Sequence, residues 1–141
     1  MLICSIMSGM KRRTKIGRVI EEGGVTPWPH ERHAATALAK VGYVVKFIPA
    51  NSTLRTADVY LNNTRFEMKA PCGQNISCVE RNLKRAIEKC PNVIMDTCRI
   101  KNVSEDSVCN VLVSRLRRGH GLKRLILVKK SGEVIDISQF I

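Results

Sequence analysis

Residues 56–69 read TADVYLNNTRFEMK, and this stretch decides the fold. Apolar and polar residues alternate on both sides of the central asparagine pair, which is the pattern of two strands joined by a tight turn. With a loop of two or four residues, Val59 pairs with Phe66, and the apolar residues of both strands share one face. The same register places Asp58 opposite Glu67. The sequence therefore predicts a hairpin in which two carboxylates face each other.

The facing carboxylates define the chemistry that this hairpin can support. Side chains directly opposite on antiparallel strands lie about 4.5–5.5 Å apart, so two charged acids there repel unless a positive charge intervenes. Lys69 follows Glu67 by two residues on the same face, and a divalent cation between Asp58 and Glu67 supplies the remaining charge. Mg²⁺ is the preferred ion because it binds one or two carboxylates and completes its shell with water and phosphate oxygens; Mn²⁺ and Zn²⁺ are alternatives. The competing interpretation is an ordinary exposed sheet face of mixed charge.

Helical and strand-like patterns flank the hairpin. Apolar residues over 31–41 recur with helical spacing, and the capping-box pattern Ser77-x-x-Glu80 precedes a second helical stripe. The predicted elements are helices at 31–41, 77–90 and 104–118 and strands at 43–48, 56–61, 65–70, 92–96, 123–130 and 133–137. The sequence thus predicts an α/β chain of the α+β kind with a mixed sheet, in the order αβββαβ followed by αββ.

Glu31 and Asp96 each allow two interpretations. Glu31 precedes Leu38 by seven residues, so it falls on the apolar stripe of its helix, where an acid needs a partner or a metal ion. It also lies in the first helical turn, where the helix dipole favours a glutamate. Asp96 is interpreted as a turn residue at a strand end rather than as a catalytic acid. His30 and His33 flank Glu31 and are interpreted as surface residues at the helix start.

Residues 1–28 are predicted to form a basic, flexible leader ahead of a single domain over 29–141. The leader carries four basic residues within 11–15, followed by glycines and prolines that interrupt regular structure. One interpretation is a solvated, partly disordered segment. The other is an arm that follows a nucleic-acid backbone.

The net charge favours a nucleic-acid partner, and the cysteine spacing argues against a disulfide framework or a zinc motif. Lysine and arginine number 24 against 12 acids, a net charge of +12, and such a surplus is typical of proteins that bind nucleic acid. Arg81, Lys84 and Arg85 lie on the helix after the hairpin and are the predicted substrate contacts. The six cysteines include no C-x2-C pair, so reduced, mostly buried thiols are expected rather than a disulfide framework or a zinc motif. No apolar run is long enough to span a membrane, and we expect action in the cytoplasm.

Three blocks of the chain resemble a known family. They are HERHAATALAKVGYVVKFIPA (30–50), TADVYLNNTRFEMKAPCG (56–73) and PNVIMD (91–96). The array of Glu31, Asp58 and Glu67-x-Lys69 in an αβββαβ order resembles the PD-(D/E)xK nuclease superfamily, with Ala57 in place of the proline. More narrowly, the blocks resemble the C-terminal nuclease domain of contact-dependent growth inhibition (CdiA-type) toxins.

The resemblance implies a restriction-endonuclease-like core and a metal-dependent endonuclease that cleaves RNA, with tRNA as the usual target. It implies that Asp58 and Glu67 bind the metal ion, that Lys69 is the catalytic lysine and that Glu31 completes the site. It also implies a cognate immunity protein and delivery into a target bacterial cell as part of a larger polypeptide. Two alternatives stay open: a DNA endonuclease of the same fold, and a non-catalytic nucleic-acid-binding module of a mobile element.

Overall fold

The computed structural model describes residues 16–21, 23–24, 26–49 and 57–140, with the backbone alone at Ala57, Asp58 and Phe140. In chain order, the elements of this part are β1 (Arg18–Ile20), α1 (Pro29–Lys40), β2 (Val44–Phe47), β3 (Ala57–Leu61), β4 (Thr64–Lys69), α2 (Ile76–Lys89), β5 (Asn92–Asp96), α3 (Glu105–Arg118), β6 (Arg124–Val128), β7 (Val134–Asp136) and a 3-10 helix (Ile137–Phe140). The predicted order αβββαβ, followed by a helix and a strand pair, is confirmed.

The described strands form one sheet, and their order across it is their order along the chain. β1 is parallel to β2, and β2, β3 and β4 form an antiparallel meander. β4, β5 and β6 are parallel, and β7 returns antiparallel to β6. Parallel neighbours need crossover connections, and α2 and α3 supply them. The carboxyl ends of β4, β5 and β6 therefore meet the amino end of β3 at one edge of the sheet, which we call the carboxyl edge.

The hairpin register predicted from the sequence is confirmed. Val59 pairs with Phe66, and Asp58 pairs with Glu67 across β3 and β4. The Asn62–Asn63 turn has φ values of 47° and 70°, in the left-handed region that asparagine tolerates better than most residues. Two consecutive residues of this kind make a type I′ turn, whose twist matches that of the flanking strands. Turn geometry and apolar pairing thus select the same register.

Helices cover both faces of the sheet and create two cores. α1 lies on one face, where Leu38 belongs to a cluster with Phe66 and Ile94. α2 and α3 lie on the other face, where Leu83 and Leu112 belong to the second cluster. The central strands are consequently covered on both sides, so a polar side chain among them is withdrawn from water.

The leader prediction is wrong over residues 18–20, which form β1. Val19 pairs with Val45 of β2, and Gly17 comes so close to the backbone of Tyr43 that a Cβ on it would clash. A strand at this position covers an edge of β2 that would otherwise expose unpaired backbone groups. Residues 1–15, with the basic cluster, lie outside the described part of the chain.

The capping box predicted at Ser77 and Glu80 is also wrong. α2 begins at Ile76, with Asn75 as its N-cap. Ser77 therefore lies inside the first turn, and its hydroxyl donates a hydrogen bond to the side chain of Asn75. Asn75 is also among the residue types favoured at the N-cap, and the observed N-cap lies two residues before the predicted one.

Candidate functional site

Glu67 and Lys69 lie near the carboxyl edge on the face that α2 and α3 cover. Glu67 is completely buried because β3 and β5 flank it and α2 packs against β4. Its Oε2 lies 3.5 Å from Nζ of Lys69, whose side chain keeps 18% exposure. A buried carboxylate is costly unless a positive charge accompanies it. Lys69 supplies such a charge and still reaches solvent.

Asp58 completes this arrangement at the level of the backbone. It is the register partner of Glu67 on β3, while its side chain lies outside the described part of the chain. The structure therefore places three of the four predicted catalytic residues, Asp58, Glu67 and Lys69, on neighbouring positions of two paired strands. Their catalytic and metal-binding roles stay predictions.

Glu31, the fourth predicted residue, makes a structural contact at the start of α1. Its Oε1 accepts a hydrogen bond of 2.8 Å from the backbone N–H of Trp28, the N-cap residue. This contact satisfies one of the free N–H groups at a helix start and agrees with the first-turn interpretation. α1 covers the face opposite to that of Glu67, so Glu31 approaches the carboxyl edge from the other side.

A second group of polar side chains lies at the carboxyl edge on the face of α1. His33 of α1, Asp96 at the end of β5 and Cys98 just after it offer ligand atoms that all lie within 4.8 Å of one another. Asp96 is completely buried, and its Oδ1 accepts a hydrogen bond of 2.9 Å from the backbone N–H of Cys98. Its Oδ2 lies 3.7 Å from Nδ1 of His33. We call these three residues the His-Asp-Cys cluster.

Burial sets the protonation behaviour of this region. Withdrawal from water raises the pKa of the Asp96 carboxyl, while the Cys98 N–H and His33 act in the opposite direction. Burial and the neighbouring carboxylate raise the pKa of the Cys98 thiol to about 11. Burial, then the positive charge of Arg99, lowers the pKa of His30. At neutral pH the Cys98 thiol and His30 are therefore mainly uncharged.

The predicted substrate contacts lie along α2. Arg81, Lys84 and Arg85 are all exposed, while Leu83 and Ala86 of the same helix are buried in the core. The helix thus presents three positive charges to solvent next to the strand that carries Glu67 and Lys69. Their part in substrate binding stays a prediction.

The sequence interpretation of Asp96 captures its position at a strand end but not its surroundings. The signal for its burial is the apolar run of 93–95 directly before it, because a parallel strand that is apolar on both faces is covered on both. His33 carries no comparable signal. Its proximity to Asp96 depends on where α1 crosses the sheet.

The described part of the chain contains free cysteines and no helix that could cross a membrane. Five cysteines are described, all as free thiols: Cys72, Cys78, Cys90, Cys98 and Cys109. Cys4 lies outside the described residues. None of the described helices has the length and the apolar run that a membrane crossing requires.

Comparison with known proteins bears on the fold. No family model matches the chain, and no curated protein matches it. Among solved structures, the chain is similar to a chain of the CdiA-CT/CdiI toxin and immunity complex from Burkholderia pseudomallei, with 16% sequence identity and a TM-score of 0.56. The likeness covers 86% of this chain and 96% of that one. The mixed sheet and its helices thus form an α+β fold of the kind found in that complex.

Proposed function

We propose that this chain is a metal-dependent endonuclease that hydrolyses phosphodiester bonds in RNA, with tRNA as the substrate, and that it acts as a toxin domain. The observation that carries the proposal is the pairing of Asp58 with Glu67, together with the 3.5 Å approach of Lys69 to the Glu67 carboxylate. Two acids and an amine on adjoining strands are the group set that metal-assisted phosphodiester hydrolysis uses.

The residues of this site divide the chemistry among them. Asp58 and Glu67 would hold Mg²⁺, because carboxylate oxygens are the ligands this ion prefers, and a buried acid beside a second acid favours a cation. When bound, Mg²⁺ makes an attacking water more acidic and neutralises charge on the phosphate. Lys69 donates a hydrogen bond to a phosphate oxygen or orients the water. Glu31 is assigned to the same site from the α1 side.

The substrate surface is assigned to α2. Arg81, Lys84 and Arg85 are exposed there, and the chain has a net charge of +12. Each phosphate that the protein neutralises releases counterions. For a single strand, the logarithm of the binding constant therefore falls with the logarithm of the salt concentration by a slope of about 0.7 per contact, and each lost contact reduces that slope by this amount. Replacing these three residues with alanine should therefore weaken binding and flatten its salt dependence. The matched control is Arg117→Ala with Arg118→Ala, at the last turn of α3.

The toxin assignment draws on the fold likeness. The similar solved structure is described as a toxin and immunity complex, and a domain that cleaves tRNA would harm the cell that contains it. We therefore infer that a cognate immunity protein binds this chain. We also infer that the chain acts in the cytoplasm of a target bacterium.

The decisive experiment compares cleavage of total tRNA and of plasmid DNA with Mg²⁺ and with EDTA. Glu67→Gln and Lys69→Ala should each lower cleavage about 100-fold or more, since the first removes a proposed metal ligand and the second removes the positive charge proposed to contact the phosphate. The matched controls are Glu88→Gln and Lys40→Ala, which alter exposed residues in the last turns of α2 and α1 and should cleave normally. Full activity of Glu67→Gln or Lys69→Ala contradicts the proposal, and cleavage of plasmid alone makes the chain a DNase.

The net charge also favours a second candidate, a nucleic-acid-binding module without catalysis. This candidate predicts salt-sensitive binding that Asp58→Ala leaves unchanged, and no strand scission with any metal ion. Measuring binding and cleavage on the same preparation separates the two functions.

A further inference from the structure

The His-Asp-Cys cluster has nearly the dimensions of a metal site. Its three ligand atoms lie within 4.8 Å of one another. Ligand atoms around tetrahedral Zn²⁺ are separated by about 3.3–3.7 Å when bond lengths are near 2.0–2.3 Å. His33 keeps 39% side-chain exposure, and Cys98 is half-buried. Both side chains therefore have room to rotate and close the remaining distance.

The Asp96 carboxylate points to a ligand independently of this spacing. Asp96 is completely buried, and among the described residues its Oδ2 has no hydrogen-bond partner. The same holds for Nδ1 of His33, the atom that lies 3.7 Å from it. A buried carboxylate oxygen that lacks a hydrogen bond is costly. A cation between Oδ2 and Nδ1 would satisfy both atoms.

The loop that carries two of the ligands is held in place from several sides. The Thr97 hydroxyl donates a hydrogen bond of 2.8 Å to Oε2 of Glu105, and the backbone N–H of Thr97 donates to Val128 at 3.0 Å. The Arg99 guanidinium donates two hydrogen bonds to the carbonyl of Ala70. Thr97 and Arg99 flank Cys98 in the chain, so these bonds hold the backbone that carries the Cys98 ligand.

The chemistry of the three ligands selects the kind of metal ion. Imidazole, carboxylate and thiolate together suit Zn²⁺ and related transition metals, whereas Mg²⁺ prefers oxygen ligands alone. We propose that His33, Asp96 and Cys98 form a binding site for a transition-metal ion of the Zn²⁺ class, separate from the carboxylate pair of Asp58 and Glu67. The bound ion joins α1 to the end of β5 and leaves a fourth position for water or a substrate oxygen.

Proton release accompanies binding at this site. The pKa of the Cys98 thiol is raised to about 11, so the thiol is protonated before the metal ion arrives. A coordinating thiol loses its proton to solvent as the metal–sulfur bond forms.

Cobalt substitution in the full chain tests the site. Co²⁺ is added to the metal-free protein with a phosphine reductant present, and the near-ultraviolet thiolate-to-cobalt charge-transfer band is recorded. We expect this band to saturate at one equivalent and to disappear when Zn²⁺ is added. Cys98→Ser should abolish the band, and His33→Gln should weaken binding about 10-fold or more. The matched control is Cys72→Ser, which alters an exposed cysteine and should keep the band.

Absence of a charge-transfer band in the wild-type chain overturns the proposal, and so does a band that survives in Cys98→Ser. A second measurement guards against variants that fail to fold: Zn²⁺ should raise the thermal midpoint of the wild-type chain and of Cys72→Ser, and leave that of folded Cys98→Ser unchanged. Both readouts are independent of nuclease activity. Failure here consequently leaves the proposed function untouched, and an inactive nuclease leaves this site untouched.

Discussion

Replacing Asp96 with asparagine should stabilise the metal-free protein at neutral pH. The carboxylate is completely buried, and burial raises its pKa. The folded state therefore accommodates the charged carboxylate less well than the unfolded chain does, where the group is in water. An asparagine side chain at this position has nearly the same shape without that charge.

The size of the stability gain in Asp96→Asn follows from the contacts that Asp96 makes. Its hydrogen bond of 2.9 Å from the Cys98 N–H uses Oδ1, an atom that asparagine retains. The pairing with His33 is long, at 3.7 Å, and His33 is 39% exposed, so its loss costs about 1 kcal/mol or less. Relief of the desolvation penalty is larger, and the net gain should be about 1–2 kcal/mol. For a domain of this size, that gain raises the thermal midpoint by about 3–7 °C.

The effect has a defined pH dependence. A pKa that is higher in the folded state means that the folded state binds the proton more tightly. The contribution of Asp96 to the free energy of unfolding is therefore fully present below the usual aspartate pKa of about 3.9. It is lost as pH rises through the pKa that Asp96 has in the folded state. The titratable groups that act on the carboxyl are Cys98 and His33, and His30 is close enough to be affected by it. The advantage of Asp96→Asn should therefore be absent in acid and grow as pH rises towards neutrality.

The assay is urea unfolding of the wild-type chain and of Asp96→Asn in EDTA, from acidic to neutral pH. The matched control is Asp106→Asn, in the first turn of α3, where loss of a favourable dipole interaction should lower stability by about 0.3–1 kcal/mol. A less stable Asp96→Asn at neutral pH would refute the reasoning, as would a gain that persists in acid.

Three further predictions concern local structure. Asn63 has a φ of 70°, so Asn63→Ala should lower the free energy of unfolding by about 1 kcal/mol and Asn63→Gly should not, as measured in urea. Ser104 accepts a hydrogen bond of 3.1 Å from the N–H of Ser107, so Ser104→Ala should cost about 1 kcal/mol in the same assay. Iodoacetamide at pH 8 should modify exposed Cys72 well before Cys98, whose pKa is raised to about 11, as read by peptide mass mapping. Equal stability of the two Asn63 variants, no loss in Ser104→Ala, or faster labelling of Cys98 would contradict the respective prediction.

The local pattern predicted much of the fold because its causes are local. Alternation on either side of an asparagine pair suffices to pair Asp58 with Glu67, since a slip by one residue would turn the apolar side chains to the wrong face. The N-cap of the helix that follows lies two residues before the predicted one, because Asn75 and Ser77 are comparable capping residue types and their neighbours do not distinguish them. β1 was not predicted because three residues carry too little periodicity. Its partner strand is what stabilises it.

The sequence by itself determined the hairpin, its register and the position of Glu67 beside Lys69, because strand alternation and turn chemistry act over a few neighbouring residues. Tertiary structure alone decided that His33 meets Asp96 and Cys98. That meeting depends on the path of α1 across a sheet whose strands lie far apart in the chain. Packing of Leu38 in one cluster with Phe66 and Ile94 sets this path. Residue spacing in the sequence does not predict that packing.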